Sequence, residues 1–117
     1  MRNIRRMTVT MSACAAMSAY AQDTVVTDAD GPGVFLHYCA LCHGDEGRGD
    51  GRMARLITSP SPADLTRSTL SRDGLRQIIG KGGEAVGRSA KMPSWEQQLT
   101  TTELSAVVAY VYSLKPE

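Results

Sequence analysis

The sequence predicts an all-α fold, and three observations lead there. Leu104, Val107, Val108, Val111 and Leu114 recur at the spacing that lines one face of a helix. Residues that start helices stand at Asp30, Ser71 and Thr100, the last paired with Glu103 as a capping box. No stretch alternates apolar and polar residues as a half-buried strand does, and no repeat or low-complexity segment interrupts the chain.

Residues 1–21 read as a secretory signal peptide. Arg2, Arg5 and Arg6 form a charged opening, Met7 to Ala19 is uncharged and apolar or small, and Ala19-Tyr20-Ala21 offers small residues for cleavage. That run is too short to span a bilayer, which takes about 20 residues, and no later segment of the sequence qualifies. A soluble mature chain beginning near Gln22 is expected, with residues 22–30 a flexible lead-in and 31–117 the folded domain. Cys14, after Met11-Ser12-Ala13, is the alternative start, as a lipoprotein anchor, although Met stands where Leu is usual. Loss of the leader removes three Arg and no acid, turning the formal +1 of the whole chain into −2. Nucleic acid and anionic membrane are therefore poor partners.

The elements follow in order. Asp30 caps a first helix, with Pro32 in its first turn, running through about Cys42. Gly44 to Gly51 carries glycine at 44, 47, 49 and 51 and is a loop. A short helical stretch spans about Met53 to Leu56, before Ser59-Pro60-Ser61-Pro62 breaks the chain. Ser71 caps a helix with Leu75, Ile78 and Ile79 on one face, ending at the glycines 80, 82 and 83. Gly80 to Met92 is irregular. In the last helix Lys115 complements the negative end of the dipole and Pro116 stops extension. With one Phe, one Trp and eleven Gly, the domain is short of core and needs a staple such as a metal or a large cofactor. A disulfide between two Cys three positions apart would close too short a loop to help.

Cys39-Ala40-Leu41-Cys42-His43 supplies that staple. Cys-x-x-Cys-His is the attachment sequence for c-type haem. Residues three and four apart share a helix face, so Cys39 and Cys42 reach the two vinyl groups of one porphyrin as thioethers while His43 addresses its iron. A thioredoxin-like reading would want a βαβ sheet, which the pattern lacks. A zinc site needs two further ligands, and no Cys or His follows His43. Met is the usual second axial ligand of an electron-transfer haem. After the leader only Met53 and Met92 remain. Met53 follows the Gly-rich loop too closely, whereas Met92 lies far enough along the chain to reach the other face of the ring and precedes the rigid Pro93. Met92 is therefore the expected ligand. His37, on the same helix as His43, is expected to play no part.

With these residues in view, the sequence resembles the class I monohaem c-type cytochromes of the bacterial periplasm. The resemblance spans about Gly33 to Leu114. It is carried by Gly33 and Phe35, by Cys39 to Gly44, by Pro62-Ala63-Asp64-Leu65-Thr66, by Met92-Pro93-Ser94-Trp95, and by Tyr110. It implies the small cytochrome c fold, in which first and last helices cross around one covalently bound haem c and its iron. Gly33 would let the two backbones approach, with Phe35 and Tyr110 packed at the crossing. A carbonyl at Pro60 or Pro62 would hold the other N–H of His43, unless these prolines only break the chain. Trp95 would stand near a haem propionate or in the pocket wall, or anchor the core. The remaining lining is expected from Leu56, Leu65, Leu75, Ile79, Leu99 and Val107.

The function so implied is periplasmic electron transfer by an electron carrier rather than an enzyme. Its partners would be periplasmic or membrane-bound redox proteins met transiently, with no small-molecule substrate. The alternatives are a haem subunit or dedicated electron acceptor of a periplasmic dehydrogenase or reductase complex, and a haem catalyst or gas sensor with an open sixth position. Gly44 to Lys91 carries nine basic and six acidic residues, while the flanks are acidic. This basic middle is expected to rim the haem edge and meet acidic partners.

Overall fold

A computed structural model of the chain describes residues 30–116. The leader, the Cys14 alternative and the lead-in before Asp30 lie outside the described residues. Helix α1 spans Gly31–Tyr38, α2 spans Ala40–His43, α3 spans Arg72–Lys81 and α4 spans Thr101–Ser113, with single 3-10 turns at Ala54–Leu56, Leu65–Arg67 and Glu84–Val86. No strand occurs among the described residues, and no helix there is long and apolar enough to cross a membrane.

The helix starts are those the capping residues predict. The Asp30 carboxylate accepts from the Gly33 N–H at 3.1 Å, and the Ser71 hydroxyl from the Gly74 N–H at 3.1 Å. Thr100 and Glu103 form the reciprocal box: the Thr100 hydroxyl accepts from the Glu103 N–H at 3.1 Å, and the Glu103 carboxylate from the Thr100 N–H at 2.8 Å. Each such cap satisfies N–H groups that the first turn cannot.

Both α1 and α3 pack on α4. The core consists of Val34 and Phe35 from α1, Leu75 and Ile79 from α3, and Val107, Val108 and Val111 from α4, joined by Cys39, Ala40 and Leu99. Phe35 is fully buried, and its ring lies 5.2 Å from that of Tyr110, tilted by 60°. Burial of such a side chain is worth about 1.5–3 kcal/mol. The Arg76 guanidinium adds a link from α3 to the Ser105 hydroxyl on α4 at 3.1 Å.

Several local expectations need correction. The close approach of α1 to α4 is made at Gly31, not Gly33. A Cβ on Gly31 would stand 2.5 Å from the Ala106 carbonyl oxygen and 2.9 Å from Tyr110 Cβ, whereas one on Gly33 would meet only the Asp30 carboxylate. The first helix does not run unbroken to Cys42. It stops at Tyr38, and the Cys42 N–H bonds to the Cys39 carbonyl three residues back, a tightened turn that separates α1 from α2. Residues 54–56 are a 3-10 turn. Helix α3 runs through Gly80 to Lys81 and is capped by Gly82. The Lys115 ammonium follows the end of α4 as expected, yet it donates to the Leu70 carbonyl and lies 4.3 Å from the Tyr112 ring, so it ties the C-terminus to the start of α3.

Candidate haem site

Helix α2 presents the Cys-x-x-Cys-His residues, and its short span is held by an unusual amount of capping. The His43 N–H bonds the Cys39 carbonyl at 2.9 Å. The Gly-rich loop then folds back: the N–H groups of Met53, Gly51 and Gly49 donate to the carbonyls of Leu41, Cys42 and His43 at 2.9, 3.1 and 2.7 Å. These carbonyls have no partner within a helix this short, and the loop supplies one for each. The approach is so close that a Cβ on Gly51 would collide with the carbonyls of Ala40 and Leu41. Gly49 and Gly51 thus fix the attachment segment as well as make a turn.

Cys39, Cys42, His43 and Met92 all line one cavity of about 540 Å³, within the range of small-molecule and cofactor sites. Its walls also include Tyr38, Leu65, Leu75, Ile78, Ile79 and Trp95, an apolar set. Three of the six expected apolar wall residues are there: Leu65, Leu75 and Ile79. Leu56 is 73% exposed and turned to solvent, because the 3-10 turn that carries it lies outside the helical layer. Leu99 and Val107 are buried in the core rather than in the cavity wall. Tyr38 from the end of α1, Ile78 from α3 and Ile57 from the loop after the first 3-10 turn take their places.

His43 is oriented by a backbone carbonyl, that of Ala63 and not of Pro60 or Pro62. The Nδ1–O distance is 3.0 Å. A carbonyl can only accept, so Nδ1 carries the proton and the Nε2 lone pair of the neutral ring is left to bind a metal. Burial pushes the His43 pKa down, partly offset by that hydrogen bond, which favours the neutral, ligating imidazole. Both prolines still line the cavity, and the Asp64 carboxylate caps the next turn by accepting from the Thr66 N–H at 3.0 Å. Burial likewise pushes the Cys39 thiol up to about 12, with the neighbouring Cys42 adding to the effect. Such a thiol is a poor thiolate ligand and a poor redox nucleophile. Cys39 and Cys42 form no disulfide. Among the described residues no three His, Cys, Asp or Glu side chains gather as a metal cluster, so the zinc alternative finds no further ligands there.

Met92 enters from the segment between α3 and α4. Its carbonyl accepts from the Gly83 N–H at 2.9 Å, and its own N–H donates to Ser89 at 3.1 Å. Trp95, next along, is half-buried in the cavity wall with its ring 5.2 Å from that of Tyr38. The Trp95 backbone N–H reaches the carbonyls of Ile79 and Gly80 at the end of α3. Met53 is absent from the wall, and its N–H serves the α2 carbonyls instead. His37 is exposed, stacks edge-on against Tyr38, and lines a separate polar hollow with Leu41 and Asp50. Two thiols at helical spacing, a neutral imidazole, a thioether and an apolar cavity suit a haem.

Residues 26–111 match the family described as cytochrome C oxidase, cbb3-type, subunit III. The chain belongs to this family. It is a monohaem c-type cytochrome domain, and the group it carries is a covalently attached haem c with its iron. Among curated proteins it is 32% identical over 87 residues to the Cbb3-type cytochrome c oxidase subunit FixP of Bradyrhizobium diazoefficiens, covering 74% of this chain and 27% of that protein. It is 30% identical over 86 residues to the subunit CcoP of Cereibacter sphaeroides, with the same coverage of 74% and 27%. The chain thus spans about a quarter of the length of these relatives. A solved chain of the Kuenenia stuttgartiensis reducing HAO-like protein complex superposes with a TM-score of 0.62 at 28% identity, over 73% of this chain and 41% of that one.

Proposed function

We propose that this cytochrome c domain transfers electrons on the periplasmic side of the membrane through one haem, attached at Cys39 and Cys42 and held axially by His43 and Met92. The observation that carries the reading is the convergence of all four side chains on one apolar cavity. When bound, the haem supplies a one-electron couple at its iron. The protein's own residues do the rest. Cys39 and Cys42 would tether the ring covalently, so that it does not dissociate. The Ala63 carbonyl orients His43 and raises its basicity. The Met92 sulfur favours the ferrous state and so raises the potential. His43 and Met92 would hold the iron of the bound haem from the protein, which would leave no need for a substrate there and suits an electron carrier.

Arg67, Arg88 and Lys91 are exposed side chains of the cavity lining, and they support docking of acidic redox partners at this edge. The leader pattern of residues 1–21 supports export. Two settings fit: a carrier meeting periplasmic or membrane-bound redox proteins transiently, and a haem subunit or dedicated acceptor of a larger oxidoreductase complex. The second is favoured by the relatives, which are named as subunits of an oxidase and as part of a reducing complex.

The test is expression in a host able to mature c-type haem, followed by a haem stain on a denaturing gel and a pyridine haemochrome spectrum. A stained band and a ferrous spectrum unchanged by carbon monoxide are expected. A colourless band would end the reading of Cys39, Cys42 and His43; a large shift with carbon monoxide would end that of Met92. Purification from the native cell, with or without a bound larger enzyme, separates the two settings.

A further inference from the structure

The supports of the two axial ligands lie in different loops. His43 is held by the Ala63 carbonyl, in segment 57–64, and Met92 sits in segment 82–95. Each loop is fastened at its own edge of the cavity. The first is pinned by the Leu65 N–H to the Gly47 carbonyl at 2.7 Å; the second is closed by the Gly83 N–H on the Met92 carbonyl and fastened to the end of α3 by the Trp95 and Glu96 backbone N–H groups on the carbonyls of Ile79 and Gly80. Among the described residues no backbone hydrogen bond joins the two segments. One side chain does. The Lys91 ammonium donates to the Ser59 carbonyl at 3.1 Å, across 32 positions of sequence, and Lys91, Ile57 and Pro60 all line the cavity.

We infer that Lys91 is a positioning residue for Met92, a strap that ties the Met92 segment to the loop supporting His43. The inference rests on the reading of Met92 as the axial ligand. Lys91 is the immediate neighbour of Met92, so movement of the Met92 backbone away from segment 57–64 stretches or breaks the bond to Ser59. Arg88 lines the same cavity from the same segment and makes no hydrogen bond to segment 57–64, which makes it a control for charge alone. Without the strap the open state, with the sixth position free, is more populated, and an external ligand that needs that state binds more tightly in proportion.

The experiment titrates the ferric holoprotein with imidazole and follows the visible spectrum. Met92→Ala sets the limit of an open site. Lys91→Gln is expected to bind imidazole roughly three- to ten-fold more tightly than the unaltered protein, the effect of losing one solvent-exposed hydrogen bond. Lys91→Arg, which can still reach a carbonyl, should stay within about two-fold, as should Arg88→Gln. If Lys91→Gln binds as the unaltered protein does while Met92→Ala binds tightly, the strap is refuted and the ligand stands. An equal gain in Arg88→Gln and Lys91→Gln would also refute it, because charge would then explain both. If the unaltered protein already binds as tightly as Met92→Ala, the ligand reading falls and the strap with it.

Discussion

The crossing of α1 and α4 and the two loops that close the cavity differ in what holds them. At the crossing, Phe35, Val34, Val107, Val108 and Val111 are buried against each other, with Phe35 and Val107 fully so. The loops at 57–64 and 82–95 bury little apolar area of their own. They are held by single hydrogen bonds, such as Ala63 to His43, Gly83 to Met92 and Lys91 to Ser59. Their apolar residues Ile57, Met92 and Trp95 line the cavity, and Met92 and Trp95 touch the core only at its edge. The crossing is therefore packed by its own side chains, whereas the loops leave apolar side chains on a cavity that a cofactor would fill.

The largest expected effect therefore comes from removing the cofactor. The double variant Cys39→Ala, Cys42→Ala should give no haem-stained band. In hydrogen exchange, amide protection in segments 57–64 and 82–95 should fall at least as far as in α1 and α4. Loops that kept their protection in the colourless protein would break the comparison.

Within the crossing, Phe35→Ala should destabilise the holoprotein by about 3–5 kcal/mol in denaturant unfolding, as large-to-small changes at fully buried aromatic sites do. Gly31→Ala should cost about 1–3 kcal/mol, because its new Cβ meets the backbone of Ala106, which cannot swing aside as a side-chain tip could. Equal loss at Gly33→Ala would relocate the contact. Thr100→Ala removes one half of the capping box and should cost about 1 kcal/mol, with the haem spectrum unchanged. Least of all, Leu56→Ser should move stability by no more than about 0.5 kcal/mol, since that side chain is already in water. A larger loss there would return Leu56 to the cavity wall that the sequence assigned it.

What could be read in the chain without coordinates was whatever local chemistry encodes. The α4 periodicity, the caps at Asp30, Ser71 and Thr100, and the spacing of Cys39, Cys42 and His43 act within a turn or two of helix, so neighbouring residues reveal them. Elimination among the few sulfur-bearing side chains makes Met92 the candidate ligand, and the structure places it on the cavity wall. The carbonyl that orients His43 was not legible, because every residue has one and only the loop's path decides that Ala63 presents its own. The same holds for Gly31 over Gly33, for Ile57 over Leu56, and for the reach of Lys91 to Ser59. A hydrophobic residue one position along, or a glycine two positions along, satisfies the same pattern.

An all-α chain and a haem-attachment segment with its candidate ligands are encoded locally, since helix caps, amphipathic spacing and covalent attachment act between near neighbours. Which backbone atoms meet, which apolar side chains line the cavity, and that Lys91 bridges two loops follow from the packed fold. Those outcomes depend on contacts between residues tens of positions apart, set when α1, α3 and α4 pack and the loops take the paths left to them.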